Sequence, residues 1–115
     1  MFNNDMDTTP DKGRADYIYI WEYVVREDCA DEFRRVYGPE GDWLRLFRRA
    51  EGFLGTELHA DINDDTRFMT IDSWVSKAAH DAFRGRFDEE FRTLDEQCEK
   101  LTISETYAGA FSPVD

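Results

Sequence analysis

Positive charge is scarce in this chain: 14 Lys and Arg stand against 26 Asp and Glu, a net charge of −12 over 115 residues. A phosphate backbone or an anionic membrane surface needs clustered cations, so neither nucleic acid nor membrane is an expected partner. The acid reads as a well-solvated surface. There is no apolar run of transmembrane length, and the N-terminus has no basic block followed by an apolar one, which points to a cytoplasmic protein. Cysteine and histidine are nearly absent. The two cysteines, Cys29 and Cys98, fall on separate expected helices at apolar phases, as small core residues of a reducing compartment do. Without a C-x-x-C and with only two histidines, His59 and His80, no metal site is expected. No short internal repeat is present either.

What the chain has in quantity is aromatic side chains, 15% of its residues. At this length they fill one core, so one domain is expected over residues 17–109, with a disordered tail at 1–16 and a short tail at 110–115. Residues Tyr17 to Val25, YIYIWEYVV, carry the strongest strand signal. Tyr17, Tyr19, Trp21, Tyr23 and Val25 share one face and Ile18, Ile20 and Val24 the other, with Glu22 the single charge, so this strand is covered on both sides.

Asp28 is placed to cap a helix with Cys29, Phe33, Val36 and Tyr37 inward, ending at Gly38-Pro39. Asp42 is placed to cap the next helix, in which Trp43, Leu46, Phe47 and Ala50 form one stripe; Gly52 ends it. A strand from Phe53 to His59, a turn at Ile62 to Thr66 and a strand from Arg67 to Trp74 read as a hairpin. Ser76 caps a helix with Ala79, Phe83 and Phe87 inward, Gly85 marks a break, and Asp88 restarts it with Phe91, Leu94 and Cys98 inward. Leu101 to Ala108 is the fourth strand.

This order predicts an α+β, ferredoxin-like split βαβ sandwich, a four-stranded antiparallel sheet with all helices on one face that forms a dimeric α/β barrel, its central strands one and three being read as parallel to each other. Strands one and three are apolar on both faces. The uncovered face would expose on the order of several hundred Å² of apolar surface, so a homodimer packed sheet to sheet is expected.

The run DCADEFRRVYGPEGDWLRLFRRAEGFLGTEL, followed by TIDSWVSKAAHDAF, resembles the antibiotic biosynthesis monooxygenase domain of the dimeric α/β-barrel superfamily. The marking steps are Ala50 to Leu58 and Ile71 to Ala78. The resemblance implies a ferredoxin-like protomer, a homodimer and a ligand pocket between helices and sheet. It also implies a cofactor-independent monooxygenase oxidising a small aromatic or quinone-like molecule. Such chemistry needs an apolar aromatic cavity, a base and exclusion of water. The alternative is a non-catalytic ligand-binding or stress-response module of the same fold.

By this resemblance Trp74 either lines the pocket near the end of strand three or plugs the core. Asp72, on the Trp74 face, becomes a usable base if buried, or else pairs with an arginine. His59 is a second candidate acid-base group and His80 the other imidazole, each more simply a surface or capping residue than a base. Trp21 and Tyr23, with Tyr19 on the same face, look into the pocket or into the dimer interface, and Trp43 is either helix-to-sheet packing, as its place in a regular stripe favours, or a further lining residue. Glu22 is an alternative base. Haem-degrading relatives carry a proximal histidine further along the last helix and an asparagine on strand one. Here the region from Phe83 to Gln97 has no histidine and Trp21 stands near the asparagine's place, so no haem is expected.

Overall fold

The computed structural model describes residues 14–114. The sequence-expected tail at 1–16 lies almost wholly outside them. Four strands are present: β1 (Tyr17–Val25), β2 (Phe53–Asp61), β3 (Asp64–Trp74) and β4 (Thr102–Phe111). Four helices join them: α1 (Ala30–Tyr37), α2 (Asp42–Phe47), α3 (Lys77–Arg86) and α4 (Asp88–Cys98). They make one sheet in the order β2-β3-β1-β4, antiparallel throughout.

The expectation of parallel central strands is therefore corrected: β1 pairs with β3 antiparallel, Tyr19 opposite Asp72 and Tyr23 opposite Phe68. The reason lies in the connections. The helical crossover returns β2 in the direction of β1, and the tight β2–β3 hairpin then reverses the chain. The hairpin turn is also shorter than the sequence suggests, because β3 already begins at Asp64. At the other end, β4 continues through Phe111.

The side-chain period of two divides the sheet. Tyr19, Tyr23 and Val25 of β1 and Phe68, Thr70, Asp72 and Trp74 of β3 are buried beneath the helices. Phe33 and Phe68 meet at a tilt with 4.9 Å between ring centres, and Phe33 lies almost parallel to Tyr37 at 4.1 Å. Trp74 is fully enclosed, edge-on to Phe47 and Phe53. The opposite face carries Ile18, Ile20, Val24, Met69 and Ile71, all only partly covered, and no helix among the described residues packs there.

Of the expected caps, Ser76 alone acts as one, its hydroxyl accepting from the Ala79 amide at 3.0 Å. Asp42 is instead the first residue of α2, preceded by Gly41; its carboxylate accepts from Arg45 at 2.8 Å. Asp28 lies within a 3-10 turn, Glu27–Cys29, that precedes α1. Gly85 sits inside α3, and the chain breaks two residues later at Phe87. Both cysteines are free.

Gly52 fixes the return from α2 into the sheet. Its φ is +87°, and an added Cβ would meet Ala79 Cβ at 2.7 Å and Val75 Cγ2 at 2.8 Å. Its carbonyl accepts from the Val75 amide at 2.8 Å, tying this turn to the end of β3. Substituting Gly52→Ala combines a disfavoured backbone with a clash, and is expected to destabilise the protein by about 2 kcal/mol or more. Urea denaturation of the variant measures this, and an unchanged midpoint would contradict it.

Candidate functional site

Between the helix-facing side of the sheet and the helices lies a cavity of about 230 Å³. Strands β1, β2 and β3 contribute Tyr19, Trp21, Tyr23, Thr56, Thr70 and Asp72 to its floor. Helices and their flanks contribute Tyr37, Trp43, Phe47, Arg84, Phe91 and Asp95, and Glu105 of β4 completes the wall. Four of the sequence candidates thus meet in one place: Asp72, Tyr23, Trp21 and Trp43.

Two candidates do not. Trp74 is fully buried and does not line the cavity; it is the core plug of the two readings open for it. It stands at the last position of β3, where Phe53, Phe47 and Phe83 close around it. Its Nε1 donates to the Tyr19 hydroxyl at 3.3 Å, so the indole supports a cavity residue from behind. His59 falls on the other face of the sheet, because it stands opposite Met69 rather than beside Thr56 and Leu58. There it is half exposed and bonded to Glu57 at 3.0 Å. Glu22 is on that face too, paired with Arg67 at 2.7 Å. His80 packs its ring against Tyr17, Tyr19 and Trp74, with burial lowering its pKa, and lies beside the cavity rather than in it.

Asp72 is 6% exposed, and burial pushes its pKa up to about 6. Thr56, its neighbour across the β2–β3 pair, donates a hydrogen bond to it, and the Tyr19 hydroxyl also favours its ionised form. No arginine pairs with it among the described residues. The carboxyl is thus poised to exchange a proton near neutral pH. Around it, burial raises the phenol pKa of Tyr19, Tyr23 and Tyr37, so all three stay neutral donors. The Tyr23 hydroxyl is bonded to Thr70 at 3.2 Å. Burial likewise raises the pKa of Glu105.

Several wall residues were not singled out from sequence: Thr56, Thr70, Tyr37, Phe47, Arg84, Phe91, Asp95 and Glu105. Thr70 has the parity of Asp72, which is a usable signal. Thr56 and Glu105 are visible only through cross-strand register, opposite Asp72 and Tyr23. The helix residues depend on packing that no local pattern specifies.

The raised pKa of Asp72 has a thermodynamic sign. The folded state holds this proton more tightly than the unfolded chain, so its stabilising contribution is present at low pH and is lost between about pH 4 and pH 6. A shift of roughly two units corresponds to about 3 kcal/mol. Asp72→Asn is therefore expected to be more stable than the parent at pH 8, by about 1–3 kcal/mol, and no more stable at pH 3.5. Denaturant titrations of both proteins at the two pH values decide it.

The antibiotic biosynthesis monooxygenase profile matches residues 17–95 of the chain. No sequence among curated proteins matches it. Among solved structures, the ActVA-Orf6 monooxygenase of Streptomyces coelicolor, in complex with nanaomycin D, superposes with a TM-score of 0.73 at 17% identity, over 94% of this chain and 96% of that one. SnoaB of Streptomyces nogalater, a cofactor-independent oxygenase, gives 0.69 at 17% identity over 88% and 95%. The PA3566 protein of Pseudomonas aeruginosa gives 0.65 at 19% over 90% and 98%. At these identities the superpositions establish the fold. With the profile spanning well over half its length, the chain belongs to the antibiotic biosynthesis monooxygenase family.

Proposed function

We propose that the protein is a cofactor-independent monooxygenase acting on a small aromatic or quinone-like molecule. The reading is carried by one observation, the buried carboxyl of Asp72, hydrogen-bonded but without a cationic partner among the described residues, set into the wall of an aromatic cavity. A volume of about 230 Å³ accommodates a fused-ring ligand of two to three rings set against aromatic side chains. The oxygenases SnoaB and the ActVA-Orf6 product, similar in fold, support the same reading.

In the proposed reaction Asp72 is the base. It removes a proton from a ring C–H or O–H, and the electron-rich anion then reduces O₂, which becomes bonded to the ring carbon. Loss of water converts a ring CH₂ to C=O: one oxygen atom stays in the product and the other leaves with both hydrogens. The electrons come from the substrate. Trp21, Tyr23 and Trp43 bound the ring, and Trp74 positions Tyr19 rather than touching the ligand.

The proposed partner is a second copy of the chain. Ile18, Ile20, Val24, Met69 and Ile71 form an apolar face that no helix among the described residues covers, and isologous packing of two such sheets would bury it. The proposed setting is the cytoplasm, supported by the two free cysteines.

Two measurements test these readings. An oxygen electrode, with a panel of hydroquinones and anthrone-like phenols, is expected to record uptake that falls about 100-fold or more in Asp72→Asn. Equal uptake with and without the carboxyl would remove the oxygenase assignment. In sedimentation at micromolar concentration the protein is expected to run as a dimer and Ile20→Glu as a monomer. A monomeric parent would rule out the sheet-to-sheet assembly.

A further inference from the structure

Strand β4 does not follow β1 evenly. Phe111 pairs with Ile18, Ala110 with Tyr19 and Gly109 with Ile20, but the next pair is Tyr107 with Trp21, so Ala108 is an extra residue bulged out of the ladder. Gly109 beside it takes a φ of +138°, which residues with a side chain rarely adopt. Bulges of this kind re-aim side chains. Without it, Ala108 would stand opposite Trp21, and Tyr107 opposite Glu22 on the open face. With it, Tyr107 joins Glu105 on the helix-facing side, and its ring centre lies 5.2 Å from that of Trp21.

Trp21 and Glu105 line the cavity. Glu105 is exposed and Trp21 only partly buried, whereas Thr70 and Asp72 are buried, so the cavity opens along the β4 edge. Tyr107 stands outside this opening, 50% exposed, with its hydroxyl near that of Tyr17. We propose that Tyr107 and Trp21 form a stacking station at the cavity mouth, which holds a flat aromatic part of the ligand that extends out of the cavity. This rests on the function proposed above and assigns the outer end of its ligand. The two rings are already in contact and admit no third ring between them, so the ligand lies across the pair. Covering them removes apolar area from water, and the ring-on-ring geometry adds to it.

The probes 2-naphthol and 6-phenyl-2-naphthol differ by one outer ring, and equilibrium dialysis compares them. The parent protein is expected to bind the phenyl probe about tenfold more tightly. Tyr107→Ala is expected to cut that gain to about threefold or less, with 2-naphthol, too short to reach the mouth, bound as by the parent. Tyr107→Phe keeps the ring without the hydroxyl and is expected to keep the gain. Tyr107→Thr, a good strand former, carries the test if Tyr107→Ala does not fold. Equal binding of the two probes by the parent, or an undiminished gain in Tyr107→Ala, overturns the station and leaves Asp72 as base untouched. Sedimentation of Tyr107→Ala as a monomer where the parent is a dimer makes the ring an assembly contact and overturns it too. Binding of neither probe removes the station and the ligand cavity together. A gain that Tyr107→Ala abolishes supports the station even where oxygen uptake fails, in which case only the oxygenase reading falls.

Discussion

Because side chains alternate along a strand, the antiparallel register of β1 on β3 decides which half of each strand meets the helices. Tyr19 stands opposite Asp72, Trp21 opposite Thr70 and Tyr23 opposite Phe68. A slip of one residue would turn Asp72 and the tyrosines to the open face and bring Ile18, Ile20 and Ile71 beneath the helices. Such a slip is opposed at several points. Trp74 would leave the pocket of rings that encloses it, and the Tyr19–Trp74 and Tyr23–Thr70 hydrogen bonds would break. The side chains that close the core are thus also the ones that hold the carboxyl in the cavity.

That arrangement sets stability against chemistry. A core made only of rings would be more stable without Asp72, since burial of its ionised form is unfavourable. Thr56 and the Tyr19 hydroxyl favour the carboxylate, yet desolvation still outweighs them and the pKa ends near 6. A stronger partner, such as an arginine, would hold the group ionised and weaken it as a base. The nearby guanidinium, Arg84, is instead stacked on Phe91 and bonded to Asp88. The carboxyl thus keeps a proton affinity suited to work near neutral pH.

How much could be read from sequence follows the same division between local and non-local physics. The limits of β1 and its two faces are set by residue type and period, so Tyr17–Val25 emerges directly. The Asp72 position follows from parity within one strand. Strand direction does not, being fixed by how crossover and hairpin combine, and the parallel assignment failed there. The face of His59 is not legible for a related reason: β2 shifts register between Phe53 and Gly55, so only the pairing with Met69 gives it. The Asp28 and Asp42 caps failed because a preceding 3-10 turn and Gly41 already set the helix starts. Trp74 had two readings that only packing could separate.

The shortage of cations gains meaning once their places are known. Four arginines lie over aromatic rings at the margin of the core: Arg34 over Phe68, Arg49 and Arg86 over Phe87, and Arg84 over Phe91. Their alkyl stems cover apolar surface while their charged ends remain near water. Acidic residues then dominate the remaining surface. The cavity repeats this pattern on a small scale, with Asp72, Asp95 and Glu105 in its wall and Arg84 as its one basic residue. A ligand bearing a strongly anionic group, such as a phosphate, would face repulsion from that wall. A neutral molecule that becomes anionic only when Asp72 takes its proton would not. In the proposed reaction, such a charge distribution would favour generating the anion inside the site over capturing it from solution.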